Sequence, residues 1–320
     1  MIEAGIIGGA GYTAGELIRI LINHPEVELD FVYSTSQPGK SVAGVHQDLL
    51  GEIDLQFTGE INKNAHVVFL CLGHGNSIKF LAENQFSGKT KIVDLSTDYR
   101  MEGEHSFVYG LPEFNKEKIK KADFIANPGC FATAISLAIL PLAKAGLLQN
   151  EVHINAVTGA TGAGTSLSAT THFTWRDNNF SSYKAFEHQH LNEIDQSLKL
   201  LQDNKLPEIN FIPNRGNFSR GIHATVYTKF EGSLEEAKAI YSEAYKDSVF
   251  TFLVEEELHL KQVVNTNKCL LKLQKFGNKI LITSVIDNLL KGASGQAVQN
   301  MNLMFGFEET TGLKLKASYF

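Results

Sequence analysis

The turn that follows the first apolar run constrains this chain more than any other feature. Ala4-Gly5-Ile6-Ile7 reads as a strand, a helical pattern runs over about residues 13–23, and between them lie Gly8, Gly9, Ala10 and Gly11. Glycines at a strand-to-helix turn let the backbone bend tightly and approach a pyrophosphate, which the free N–H groups and positive dipole end of the helix can hold. The grammar then repeats, with apolar runs at 29–33, 67–71 and 91–95 alternating with helical stretches. Such alternation predicts a parallel sheet covered on both faces, an α/β fold of the Rossmann-type, doubly wound kind.

A glycine-rich turn alone needs no ligand, but its place at the first strand of a parallel sheet favours a dinucleotide. The expected contacts are Gly8, Gly9, Ala10 and Gly11, with Tyr12, Thr13 and Ala14 on the first helical turn. An NAD site normally carries Asp or Glu at the end of the second strand. Here Phe31-Val32-Tyr33 runs into Ser34-Thr35-Ser36, with Lys40 soon after. Hydroxyls and a cation suit a 2′-phosphate, so Ser34, Ser36 and Lys40 point to NADP(H), unless the strand ends early at Asp30. The turn Leu72-Gly73-His74-Gly75-Asn76-Ser77 is expected beside the dinucleotide, with His74 and Gly75 as contacts, although His74 also reads as an ordinary polar turn residue.

Residues 131–145 are apolar on most sides and predict a buried helix, kinked at Pro141. Beyond residue 151 the strands lengthen, at 151–158, 221–230 and 270–276, with helices near 193–200 and 234–245. This order predicts a second, α+β domain with a mixed or antiparallel sheet. The expected division is 1–147 for the NADP-binding domain, completed by a C-terminal helix within about 290–320, and 148–289 for the catalytic, substrate-binding and oligomerisation domain.

The formal net charge of -6 argues against nucleic acid, whose binders usually show a basic footprint. No stretch approaches the roughly 18 continuous apolar residues of a membrane span. Met1-Ile2-Glu3-Ala4-Gly5 leads into a strand rather than a signal peptide, so a cytoplasmic location and a small-molecule substrate are expected. Three cysteines at wide spacing suggest neither a disulfide framework nor a zinc ribbon.

Each thiol is therefore judged by its surroundings. Asn127-Pro128-Gly129-Cys130-Phe131 puts Cys130 after a turn and at the start of the apolar helix, where N–H groups and the dipole favour the thiolate nucleophile. Cys71 and Cys269 lie in apolar strands and read as small core residues. A thiolate beside a nicotinamide implies acyl transfer to sulfur and hydride transfer at the same carbon, with a proton to be moved. His188 and His190 are candidates for that proton. A lone His-x-His is more often structural, and no third ligand at metal-site spacing accompanies it.

Taken together, these residues resemble the N-acetyl-gamma-glutamyl-phosphate reductase family, which is related to aspartate-semialdehyde dehydrogenase. The likeness covers essentially the whole chain. Besides the residues from Gly8 to Leu17, it rests on Asp94-Leu95-Ser96-Thr97-Asp98-Tyr99-Arg100, Tyr109-Gly110-Leu111-Pro112-Glu113, Asn127-Pro128-Gly129-Cys130, His188-Gln189-His190, Arg220-Gly221-Ile222 and the run from Asp287 to Ala297. The resemblance implies a Cys130 thioester, NADPH as hydride donor, an acyl-phosphate substrate of arginine biosynthesis, and a homodimer or homotetramer. It favours His190 over His188 as acid/base and adds Asn288 to the cofactor contacts. Asn127, Arg100 and Arg220 are expected at the substrate, since guanidinium holds phosphate or carboxylate in a bidentate fork.

Two departures matter. An arginine common in the family is replaced by Thr165, and Pro213-Asn214-Arg215 stands where Pro-His-Leu is common. The expectation is an N-acyl group with an additional carboxylate, such as succinyl, held by Arg215. Two rivals remain: a reductase of a shorter acyl phosphate, against which the His188-Gln189-His190 block speaks, and a redox sensor in which Cys130 is oxidised rather than acylated.

Overall fold

A computed structural model describes residues 1–202 and 206–320. They form two compact units, the first comprising Met1–Pro128 and Ala293–Lys314, the second Gly129–Gly292 and Leu315–Phe320.

The first unit holds β1 (Ile2–Ile7), β2 (Val27–Tyr33), β3 (Phe57–Thr58), β4 (Val67–Leu70), β5 (Lys91–Asp94), β6 (Val108–Tyr109) and β7 (Phe124–Ala126). All pair in parallel, in the order β3-β2-β1-β4-β5-β7-β6. The four residues of β4 are all buried, as befits a central strand covered on both faces. Its helices are α1 (Tyr12–Leu21), α2 (Val42–Val45), α3 (Ser77–Glu83) and α4 (Pro112–Ile119). The chain's last helix, Ser294–Phe305, returns to this unit against α1, α4 and β5. Strand order reverses between β1 and β4, so the loops after these two strands flank the crevice where open α/β sheets take their ligands.

In the second unit, α5 (Cys130–Lys144) is followed by β8 (Val152–Thr158), α6 (Phe173–Arg176), β9 (Ser181–Ser182), α7 (His190–Lys199), β10 (Ile209–Arg215), β11 (Ile222–Lys229), α8 (Leu234–Tyr245), β12 (Thr251–Leu253), β13 (Cys269–Phe276) and β14 (Lys279–Ile286). The mixed sheet runs β12-β13-β14-β11-β8-β10-β9, with β8–β10 and β12–β13 parallel and its remaining pairs antiparallel.

Helix α5 groups with this unit rather than with residues 1–128, which corrects the expected boundary at 147. Every residue from Phe131 to Ala143 is buried, and a helix apolar on all sides must be covered all round. Strands β11, β13 and β14 and helices α7 and α8 supply that cover. The helix also runs three residues past Pro141. Proline lacks the N–H that would reach the carbonyl of Leu137. The Tyr245 hydroxyl of α8 donates to that carbonyl instead, at 2.5 Å, and Tyr241 donates to the carbonyl of Ala138. No helix among the described residues is long and apolar enough to cross a membrane.

Candidate active site

In the first unit, Gly8 follows β1 with a φ of +85°, and the N–H groups of Gly8 and Gly9 both donate to Tyr33 O. A Cβ on Gly8 would lie 2.7 Å from Cys71 O, so only glycine lets the β1 and β4 loops touch. Gly11 begins α1 in extended backbone, and a Cβ there would meet nothing within 4 Å. Its open side and the first-turn N–H groups of Tyr12, Thr13 and Ala14, with no acidic residue in that turn, make a cradle fit for a pyrophosphate. Ala10 is half-buried beside it, and Gly9 O contacts Nε2 of His46 at 2.8 Å.

Strand β2 ends at Tyr33, and Asp30 lies upstream with its carboxylate accepting from Asn62 at 2.7 Å. After the strand come Ser34, whose hydroxyl is 3.4 Å from that of Ser36, and the exposed Lys40. In the loop after β4, Nδ1 of His74 accepts from Thr97 N–H, and Gly75 N–H donates to Asp98, which also caps α3 through Ser77 and Ile78.

Two residues expected at the substrate brace this unit. Arg100 is buried, with Nε donating to Asn127 O and Nη2 to Leu95 O. The Asn127 amide donates to Ala293 O and accepts from Asn300. The loop that leads to Pro128 is thereby held at both its backbone and its side chain.

In the second unit, Cys130 is the first residue of α5, half-buried, with its N-terminal dipole at hand. The preceding Gly129 sits against the ring of His190: a Cβ there would lie 2.3 Å from Nε2. Gly292 closes another side, where a Cβ would come within 2.7 Å of that of Cys130. Glu193, 2 % exposed, accepts the Gly129 N–H with one carboxylate oxygen and places the other 3.9 Å from Nε2 of His190. This carboxylate was not foreseen as functional, although its spacing of three residues from His190 on one helix was legible.

His188 lies behind His190, ring centroids 4.6 Å apart, and its Nδ1 accepts the His190 backbone N–H at 3.2 Å. Burial, and then the charges of Lys184 and Arg215, push its pKa down to about 4, so at neutral pH it is an uncharged imidazole. Tyr183 completes this wall. Burial and then the Cys130 charge push its phenol up to about 12, while the Arg215 guanidinium lies 4.7 Å from its ring centroid.

Arg220 does not stand free for a ligand: it pairs with the buried Asp287 at 3.0 Å, and Asp287 also accepts the N–H groups of Asn265, Leu289 and Leu290. Asn288 uses its carbonyl on Gly221 N–H and its amide on Thr161. The other thiols are structural in setting: burial pushes Cys71 up to about 12, and Cys269 is fully buried against Ser284.

Comparison with known proteins agrees with both units. Residues 3–122 match the family model of the semialdehyde dehydrogenase NAD binding domain, and residues 130–288 that of the semialdehyde dehydrogenase dimerisation domain. Proteins named N-acetyl-gamma-glutamyl-phosphate reductase from Christiangramia forsetii, Flavobacterium johnsoniae and Parabacteroides distasonis are 78%, 63% and 58% identical, each over 100% of both chains. Among solved structures, aspartate semialdehyde dehydrogenase II from Vibrio cholerae shares the fold at a TM-score of 0.73 and 16% identity, covering 96% of this chain and 99% of that one. With a dinucleotide-type crevice in one unit, a thiol and imidazole in the other, and identity of this extent, the chain belongs to the N-acetyl-gamma-glutamyl-phosphate reductase family of semialdehyde dehydrogenases.

Proposed function

We propose that the chain reduces an N-acyl-γ-glutamyl phosphate to the N-acyl-glutamate 5-semialdehyde in arginine biosynthesis, using NADPH and releasing inorganic phosphate. The observation that carries this reading is Cys130 at the start of a 15-residue helix, with the His190 ring and the Glu193 carboxylate packed on the glycine before it. The names of the relatives support the substrate.

The dipole and first-turn amides of α5 favour the Cys130 thiolate. The thiolate attacks the γ-acyl carbon, and the bond from carbon to the phosphate oxygen breaks, with phosphate leaving on the electron pair. Bound dinucleotide supplies the hydride that reduces the thioester carbon. Imidazolium His190 gives its proton to the oxygen anion so formed and recovers it as the carbon–sulfur bond breaks, releasing aldehyde and thiolate. Glu193 acts as a positioning residue that holds both the thiol-bearing turn and that imidazole. Backbone donors of α5 suit the oxygen anion better than Asn127, whose amide is committed to Ala293 and Asn300. His188, neutral and bonded to the His190 backbone, orients rather than transfers. Arg100 and Arg220 serve the site by bracing its loops.

NADP is favoured over NAD because Ser34, Ser36 and Lys40 follow β2 and no carboxylate ends it. Glycines 8, 9 and 11, with the first turn of α1, would hold the pyrophosphate, while His74 and Gly75 line the neighbouring loop. A need for NADPH in biosynthesis fits a cytoplasmic location. A homodimer or homotetramer fits the second sheet, whose β8 and β11 leave Asn155 and Tyr227 exposed on the face opposite α5.

The test is NADPH formation from an N-acylated glutamate semialdehyde with NADP and inorganic phosphate. Phosphate-dependent turnover that vanishes in Cys130→Ser is expected. Tight NADP binding without turnover would instead favour the redox-sensor reading.

A further inference from the structure

In the first unit, the cradle at the start of α1 leans on a side chain from outside the glycine-rich turn. His46 is half-buried just after α2, and its Nε2 lies 2.8 Å from Gly9 O. A carbonyl oxygen only accepts, so Nε2 carries the hydrogen and donates it. The other ring nitrogen faces α1: a Cβ on Gly15 would lie 2.7 Å from Nδ1. Gly15 stands inside a helix, where glycine is unfavourable relative to alanine, and its missing side chain is what admits the imidazole. The segment that carries the ring is itself fastened. Phe57 packs on the imidazole at a centroid distance of 6.3 Å, and Asp48, two residues on, accepts from Arg19 Nε of α1 at 3.1 Å.

The consequence falls on the next residue. No peptide bond among the described residues is cis, and in a planar trans peptide the C=O of one residue and the N–H of the next point in opposite directions. With Gly9 O drawn to His46, Ala10 N–H points away from the imidazole, and no described residue accepts from it. Gly9 N–H is bonded to Tyr33 O at 2.9 Å, so both polar groups of Gly9 are committed and the peptide that follows keeps one orientation. An N–H that is aimed and unbonded, one residue before the open side of Gly11, suits an oxygen of a diphosphate. Without the imidazole, the freedom of glycine lets that peptide turn over, and binding would have to order it.

We propose that His46 is a positioning residue for the dinucleotide: by holding Gly9 O it presents Ala10 N–H to the pyrophosphate, and Gly15 is there to admit its ring. The proposal rests on the dinucleotide reading above and adds to it a residue from another part of the chain. His46 lies in the same connection, between β2 and β3, that carries Ser34, Ser36 and Lys40. One segment thus serves both phosphate ends of the cofactor, with side chains for the 2′-phosphate and an imidazole that shapes the turn for the pyrophosphate.

The experiment follows NADPH fluorescence on titration with the enzyme alone, for wild type, His46→Ala, His46→Gln and Gly15→Ala, with adenosine 2′-phosphate as a competitor that lacks the pyrophosphate. Losing one aimed donor to a charged oxygen should weaken NADPH binding by about tenfold in His46→Ala, while the affinity for adenosine 2′-phosphate stays as in wild type. The Gln amide can still donate to Gly9 O, so His46→Gln should remain within about threefold of wild type. Gly15→Ala, which displaces the ring, should weaken NADPH binding in wild type and add nothing in the His46→Ala background, as expected of two residues that act through one contact. In phosphate-dependent turnover the KM for NADPH should rise while kcat is nearly unchanged. His46→Ala that binds NADPH as tightly as wild type overturns the proposal. So do equal losses in His46→Ala and His46→Gln, which would make the ring a packing element only, and an equal loss for adenosine 2′-phosphate, which would move His46 to the other phosphate. If His46→Ala does not fold, Gly15→Ala decides alone, and wild-type affinity there overturns the proposal. Wild type that binds no NADPH refutes the dinucleotide reading and this proposal with it, whereas tight binding by wild type and variants alike refutes this proposal alone.

Discussion

Substituting Gly129 by alanine adds one methyl carbon at the point where the thiol-bearing turn meets the imidazole. Its φ of -70° and ψ of 153° are open to any residue, so the backbone carries no strain and the effect is steric alone. The new carbon would lie 2.3 Å from Nε2 of His190, where ordinary contact begins at 3.4 Å, so the ring must retreat by about 1 Å. Retreat is resisted, because the ring is 6 % exposed and packed against His188 and Phe131. Overpacking of this kind costs about 1–3 kcal/mol in stability. A catalytic group misplaced by about 1 Å costs on the order of a hundredfold in rate. We expect kcat for phosphate-dependent NADPH formation to fall by about that factor, with Cys130 still open to alkylation and a thermal midpoint a few degrees lower. Gly88→Ala is the control, since a Cβ there meets nothing within 4 Å. A Gly129→Ala enzyme that keeps kcat within about threefold of wild type would refute the assignment of His190 to the reacting proton.

Three further outcomes follow from the same structure. Tyr245→Phe should cost about 1–2 kcal/mol by stranding the Leu137 carbonyl, and adding Pro141→Ala, which restores an N–H donor, should recover part of it in a denaturation series. His188 binds a proton near pH 6.5 when unfolded and near 4 when folded, so its contribution is intact above pH 6.5. As pH falls toward 4 the contribution is lost, by on the order of 3 kcal/mol, and His188→Gln should flatten that slope in urea midpoints measured against pH. Ser36→Asp with Lys40→Ala should shift the kcat/KM ratio from NADP toward NAD by at least about tenfold, and an unchanged ratio would remove these residues from the 2′-phosphate.

The sequence by itself determined the local grammar: glycines where β1 turns into α1, hydroxyls rather than a carboxylate after β2, and a cysteine opening an apolar helix. These are short-range matters, because φ, helix starts and strand period depend on neighbours in the chain. The His188-Gln189-His190 block was also legible, together with the arginine where the family commonly has leucine. What the tertiary structure decided concerns partners distant in sequence. An all-apolar helix declares that it is buried but not by what, so α5 could be assigned to the second unit only once β11, β14, α7 and α8 were seen around it. An arginine declares a charge but not its partner: Arg220 is claimed by Asp287, 67 residues away, Arg100 by backbone carbonyls, and Arg176 of α6 by the backbone carbonyl of Arg215 in β10. Charge pairing and carbonyl satisfaction are settled by contacts that chain folding brings together, and no periodicity in the sequence encodes them.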